Sequence, residues 1–131
     1  MVDIEDEPVY RITSKFGFEK TFEILKNELK EKGFKIFCEI DHESAAKDSG
    51  TEMFPAKVIL FGKPEGGTQL MNAEPEIALD LPARMLIYYT GETEVVFKKL
   101  ENIVKEHNLL NFQETAKKFD LNVNNILNSV G

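Results

Sequence analysis

The chain has 131 residues, 42% of them apolar and 30% charged, with a net charge of −7. That is the length of one domain, able to bury about two-thirds of its unfolded surface without a metal or disulfide staple. The negative balance argues against nucleic acid or an anionic membrane as the main partner. The single cysteine, Cys38, excludes an internal disulfide and a cysteine-based zinc site.

Residues 1–8 form an acidic head, read as a frayed terminus. It lacks the basic start and apolar run of a secretory signal. No apolar run approaches the ~18 residues of a membrane span. A cytoplasmic location is the expectation.

Val9 to Thr13 is the first strand candidate. Phe18, Phe22, Leu25 and Leu29 then fall on one helical stripe, and Gly33 stops the helix after a basic last turn. From Phe34 to Asp41 the chain alternates, with Phe34, Ile36, Cys38 and Ile40 on one apolar face. Asp41 suits the cap of a short helix holding Ala45 and Ala46 and ending at Gly50. Val58 to Phe61 is apolar on both faces, as in a central strand. Pro64 opens a helix that the Gly66–Gly67 pair weakens. Glu74 to Leu79 reads as a short helical turn before Pro82, and Ala83 to Thr90 as a strand. Gly91–Glu92 turns it toward a partner strand through Val95 to Phe97. Val96, Leu100, Ile103 and Val104 also match helical spacing, which leaves that boundary open. The tail from Asn111 is helical, with Phe112, Ala116, Phe119 and Val123 in step. The expected fold class is α+β: a two-layer sandwich of about five mostly antiparallel strands with helices on one face. Residues 9–110 form the domain, and 111–131 a C-terminal helical extension of it.

One stretch carries a family pattern: Phe61-Gly-Lys-Pro-Glu-Gly-Gly-Thr-Gln-Leu-Met71, then Pro75, then Ala78-Leu-Asp-Leu-Pro82 and Arg84. It resembles the family catalogued as domain of unknown function 302, as does the upstream Ile40-Asp-His42 segment with Ala46 and Gly50. The resemblance spans Tyr10 to Leu109. Ala56 departs from the family's usual Thr, and Phe97-Lys-Lys-Leu100 from its Tyr-Asn-Asp-Pro-like stretch. The resemblance implies a compact α+β fold and a homodimer, and no established activity.

The residues themselves offer several candidate sites. Asp41 and His42 suit acid–base work with Asp80 or Asp41 orienting the ring, or simply a helix cap. His42, Glu43 and Asp48 lack metal-ligand spacing, with His107 distant in sequence, so no metal and no cofactor is expected. Cys38, on the apolar face, reads as an inert core thiol. The segment from Gly62 through Gly67 and Thr68 is not a nucleotide loop, because no lysine precedes Thr68. It either holds an anion at a helix start, helped by Lys63 or Arg84, or packs its glycines against the sheet. Asp80 and Arg84 read as an ion pair or a ligand clamp, and Met71, Leu81 and Met85 as core. The tail resembles a helix-turn-helix with Asp120 at the turn, but its second helix has no basic residue, so DNA binding is only a remote alternative.

The sequence therefore points to a non-catalytic, dimeric module binding a small anionic or amphipathic ligand. The candidate ligand residues are Asp41, His42, Gly62, Gly67, Thr68, Asp80 and Arg84. The alternative is a small enzyme using His42 with a carboxylate. Weak phosphate anchoring and the absence of a span leave nucleic acid and membrane outside the expected partners.

Overall fold

A computed structural model describes residues 7–131, so the expected frayed head lies largely outside the described residues. The strands are β1 (Val9–Thr13), β2 (Lys35–Asp41), β3 (Ala56–Gly62), β4 (Ala83–Tyr89) and β5 (Thr93–Lys98). They form one sheet in the order β1-β5-β4-β3-β2, with every pairing antiparallel. The helices are α1 (Phe18–Glu31), α2 (His42–Asp48), α3 (Pro64–Ala73), α4 (Leu100–Glu106) and α5 (Gln113–Leu127), with 3-10 turns at Pro75–Asp80 and Leu110–Phe112.

Periodicity explains the main layer. Phe22, Leu25 and Leu29 project from one side of α1, and Val123, Ile126 and Leu127 from one side of α5. Both helices lie on the sheet face formed by Ile59, Phe61, Met85, Ile87, Val95 and Phe97. Each such side chain, fully buried, stabilises the fold by about 2 kcal/mol. A second cluster gathers Leu70 of α3, Ile77, Leu100, Ile103 and Val104 of α4, and Ala116 of α5. Phe119 packs against both clusters. The tail is thus part of the core, and Val130 is fully buried with it.

Two sequence expectations are corrected here. The tail contains no helix-turn-helix, because α5 runs unbroken through Asp120. The alternation in β2 also breaks. Ile36 pairs with Phe61 but Cys38 pairs with Leu60, so Phe37 sits at a bulge. A bulge adds one residue to one strand and shifts the side chains beyond it to the opposite face. Cys38 and Ile40 therefore leave the core face and are exposed.

The open boundary after β5 is settled by register. Val96 pairs across from Leu86 and Arg11 and belongs to the strand, while Leu100 begins α4. The face of the sheet away from α1 and α5 carries the cross-strand row Arg11, Val96, Leu86, Val58 and Ile40. Its central members are half-buried and Ile40 is 41% exposed. No helix of the described residues is long and apolar enough to cross a membrane.

Candidate functional site

The sequence candidates separate into three places. The first is the corner from β2 into α2. Asp41 has extended backbone and its side chain accepts from the Ser44 N–H at 2.9 Å, closing the helix start. His42 is exposed and, among the described residues, its side chain takes no hydrogen bond or ion pair. The helix-cap reading of Asp41 describes this corner, and neither Asp41 nor Asp80 orients the His42 ring.

The second place is a groove of about 350 Å³ lined by Leu79, Asp80, Arg84, Lys98 and Ile103. Asp80 does not pair with Arg84. Its Oδ2 lies 2.7 Å from Nε2 of His107, the residue after α4. That hydrogen bond holds the Asp80 carboxyl below its ordinary range, against a smaller opposing effect of burial, with the charges of His107, Lys98 and Arg84 adding to it. Arg84 alternates with Ala83 and Met85, which are buried on the core face, so it projects from the other face of β4. Sequence distance hid the His107–Asp80 pair: the partners are 27 positions apart and meet only when α4 docks beside the 3-10 turn.

The third place is a cleft of about 290 Å³ at the corner from β3 into α3, and it gathers Gly62, Gly67 and Thr68. It is at the small end of ligand-sized pockets. Gly62, Lys63 and Pro64 form the corner, and Gly66, Gly67, Thr68 and Met71 the side presented by α3. Leu70, Leu81, Pro82 and Ala83 line it further, and the Leu81–Pro82 peptide is cis. Phe37, Leu100 and Phe119 complete the wall from distant parts of the chain. Phe119 is held by aromatic contacts at 5.4 Å to Phe34, 6.1 Å to Phe61 and 6.4 Å to Phe97. Such contacts fix ring orientation as well as burying area.

Two expectations change at this cleft. The glycines do not pack against the sheet: a Cβ at Gly66 or Gly67 would meet nothing within 4 Å. Met71 is not core, since it is 37% exposed and lines the cleft. The Thr68 hydroxyl is already used, donating to the Pro64 carbonyl at 2.8 Å. Lys63 gives α3 no side-chain cap, so the first amides of the helix lack an intrahelical acceptor.

Behind the cleft wall lies Asp120, 2% exposed. Its two oxygens accept the Leu100 and Glu101 N–H groups at 2.8 and 3.0 Å, capping α4 from α5. Burial pushes this carboxyl up to about 6, with the two amides opposing. Asp120 thereby ties Leu100 to the helix that carries Phe119. Among the described residues no group of three or more His, Cys, Asp or Glu is placed to hold a metal ion.

The family model for "Domain of unknown function DUF302" matches residues 10–130, past Leu109 where the sequence motifs end and through α5. The chain is 34% identical over 95 residues to the fluoride-specific ion channel FluC 1 of Brucella suis, covering 72% of this chain and 37% of that protein. The match to FluC 2 of Brucella melitensis has the same identity and covers 35% of that protein. The chain thus spans little more than a third of these curated relatives. Its fold is similar to the crystal structure of an uncharacterized conserved protein DUF302 from Bacillus stearothermophilus. That likeness has a TM-score of 0.85 at 19% identity, over 95% of this chain and 98% of that one.

Proposed function

The chain belongs to the family described as domain of unknown function DUF302, and from that premise we propose that it is a non-catalytic, dimeric, cytoplasmic module that binds a small amphipathic molecule in the cleft beside α3. The open glycine pair carries this reading. Glycine in a helix costs about 1 kcal/mol relative to alanine. At Gly66 and Gly67 no steric contact requires that sacrifice, because a Cβ would enter open space. Both glycines line the cleft, and we read the space they leave open as part of it. The apolar walls favour a ligand with an apolar body over a bare anion. The 95-residue match within longer Brucella chains supports the module reading.

Dimer formation is supported by the open sheet face. Val58, Leu86 and Val96 form an apolar centre, with Arg11, Glu94, Arg84 and Lys98 around it. An open apolar patch of this kind suits a two-fold interface. Sedimentation equilibrium is expected to give twice the chain mass, and Leu86→Lys to halve it. A monomeric wild type would refute the dimer and leave the cleft reading standing.

The cleft reading is tested by a thermal-shift screen of metabolites, nucleotides and metal ions, since a ligand of the folded state raises its apparent stability. Amphipathic hits are expected, with shifts that Gly66→Leu abolishes and His42→Ala leaves intact. Uniformly absent shifts, or loss of the shift in His42→Ala, would refute it.

A further inference from the structure

Granting the cleft as the binding site, we propose that its occupant is a monocarboxylate with a short alkyl or aryl body, an assignment that rests on the reading above. Three features of the cleft define this class: its size, its walls and its one charge.

A volume of about 290 Å³ holds about ten non-hydrogen atoms at roughly 30 Å³ each. The walls are apolar, with Phe37, Leu70, Met71, Leu100 and Phe119 providing aliphatic and aromatic surface. Of the residues lining the cleft, Lys63 alone is charged. Among the described residues Lys63 has no carboxylate partner. Its ammonium lies 5.1 Å from the centre of the Phe34 ring. The apolar body enters between α3 and Phe119, and the carboxylate meets Lys63 at the uncapped start of α3. Thr68 contributes no competing polar anchor, because its hydroxyl is already donated to Pro64.

The single cation also sets the headgroup. A phosphate monoester carries nearly two charges and favours a fork of donors such as arginine offers. Arg84 faces away from the cleft, from the other side of β4. One lysine balances one carboxylate. An occupant of about ten non-hydrogen atoms corresponds to octanoate or 3-phenylpropanoate.

Isothermal titration of the full chain with octanoate and its neutral isostere octanamide tests the assignment, in wild type and Lys63→Gln. Lys63 is exposed, so the variant is expected to fold normally. Octanoate is expected to bind about tenfold more tightly than octanamide, as a charge-assisted contact to a partly exposed group allows, with the difference lost in Lys63→Gln. From hexanoate to octanoate, affinity is expected to rise about fourfold per methylene, with no further gain for dodecanoate. Equal binding of octanoate and octanamide, a difference that survives Lys63→Gln, or tighter binding of octyl phosphate would each overturn the carboxylate assignment while leaving the cleft reading intact. Binding of neither compound overturns both.

Discussion

Three corners of this sheet turn a strand into a helix with at most one residue between them, and two of these are built in opposite ways. At the β2–α2 corner the strand ends in an aspartate whose carboxylate satisfies the helix start. At the β3–α3 corner the strand is followed by Lys63, which offers no side-chain cap, and the helix begins with proline and a glycine pair. At the first corner the Asp41 carboxylate meets an amide of the helix start. The second leaves amides unmet and space unfilled beside an aromatic wall. A polar pair such as Asp41–His42 draws the eye in a sequence. On the proposed reading, an uncapped helix start beside open space marks the binding corner better than conspicuous residue types do, because a capped helix start has fewer free amides to offer a ligand.

That contrast can be broken at several points. The largest effect is expected at Phe119, which joins both core clusters and walls the cleft. Phe119→Ala should lower stability by about 3 kcal/mol in urea denaturation and remove ligand-induced stabilisation. A loss under about 1 kcal/mol would mean that the cleft wall is not anchored in the core.

The next effect concerns pH. Asp120 has a folded-state pKa near 6, above its unfolded value of 3.8. The protonated form is therefore favoured by folding. Its stabilising contribution is fully present below 3.8 and is lost as the pH rises toward 6. Asp120→Asn keeps an acceptor for one amide and removes the titration. The melting temperature of the variant, relative to wild type, is expected to climb between pH 4 and pH 7. A difference that stays flat across that range would contradict the desolvation of Asp120.

Smaller and opposite in sign is the glycine pair. Gly66→Ala with Gly67→Ala should raise stability by about 1–2 kcal/mol, since each alanine favours the helix and meets no clash. The same double variant should bind amphipathic ligands more weakly. Stabilisation without loss of binding would sever the glycines from the cleft's role. Smallest is the capped corner. Asp41→Ala should cost about 1 kcal/mol and leave ligand binding unchanged. Weakened binding in that variant would join the two corners that the geometry holds apart.

Much of the fold was legible because single-element periodicity governs it. The stripe of α1, the cap at Asp41, the proline start of α3 and the strand through Met85 depend on neighbours within a turn or a pleat. The sequence pattern around Gly62 and Pro82 likewise lies within one local stretch. What the sequence hid depends on contacts between distant segments. The bulge at Phe37 arises from pairing with β3, and it exposes Cys38 against the alternation of the strand. His107 finds Asp80 across 27 positions. Asp120 looks like a turn residue until α4 supplies the two amides it caps. At the cleft, Gly62, Gly67 and Thr68 lie on one local motif, whereas Phe37, Leu100 and Phe119 arrive from β2, α4 and α5. The glycine pair was visible, but whether a glycine spares a clash or keeps a space open is a property of its surroundings.

The most direct measurement is an amide NMR titration of the full chain with octanoate. Shifts are expected to concentrate at Gly66, Gly67, Thr68, Met71 and Phe119, to saturate with concentration and to be absent in Gly66→Leu. Shifts centred on His42 and the rest of α2, or persisting unchanged in Gly66→Leu, would contradict the cleft as the binding site.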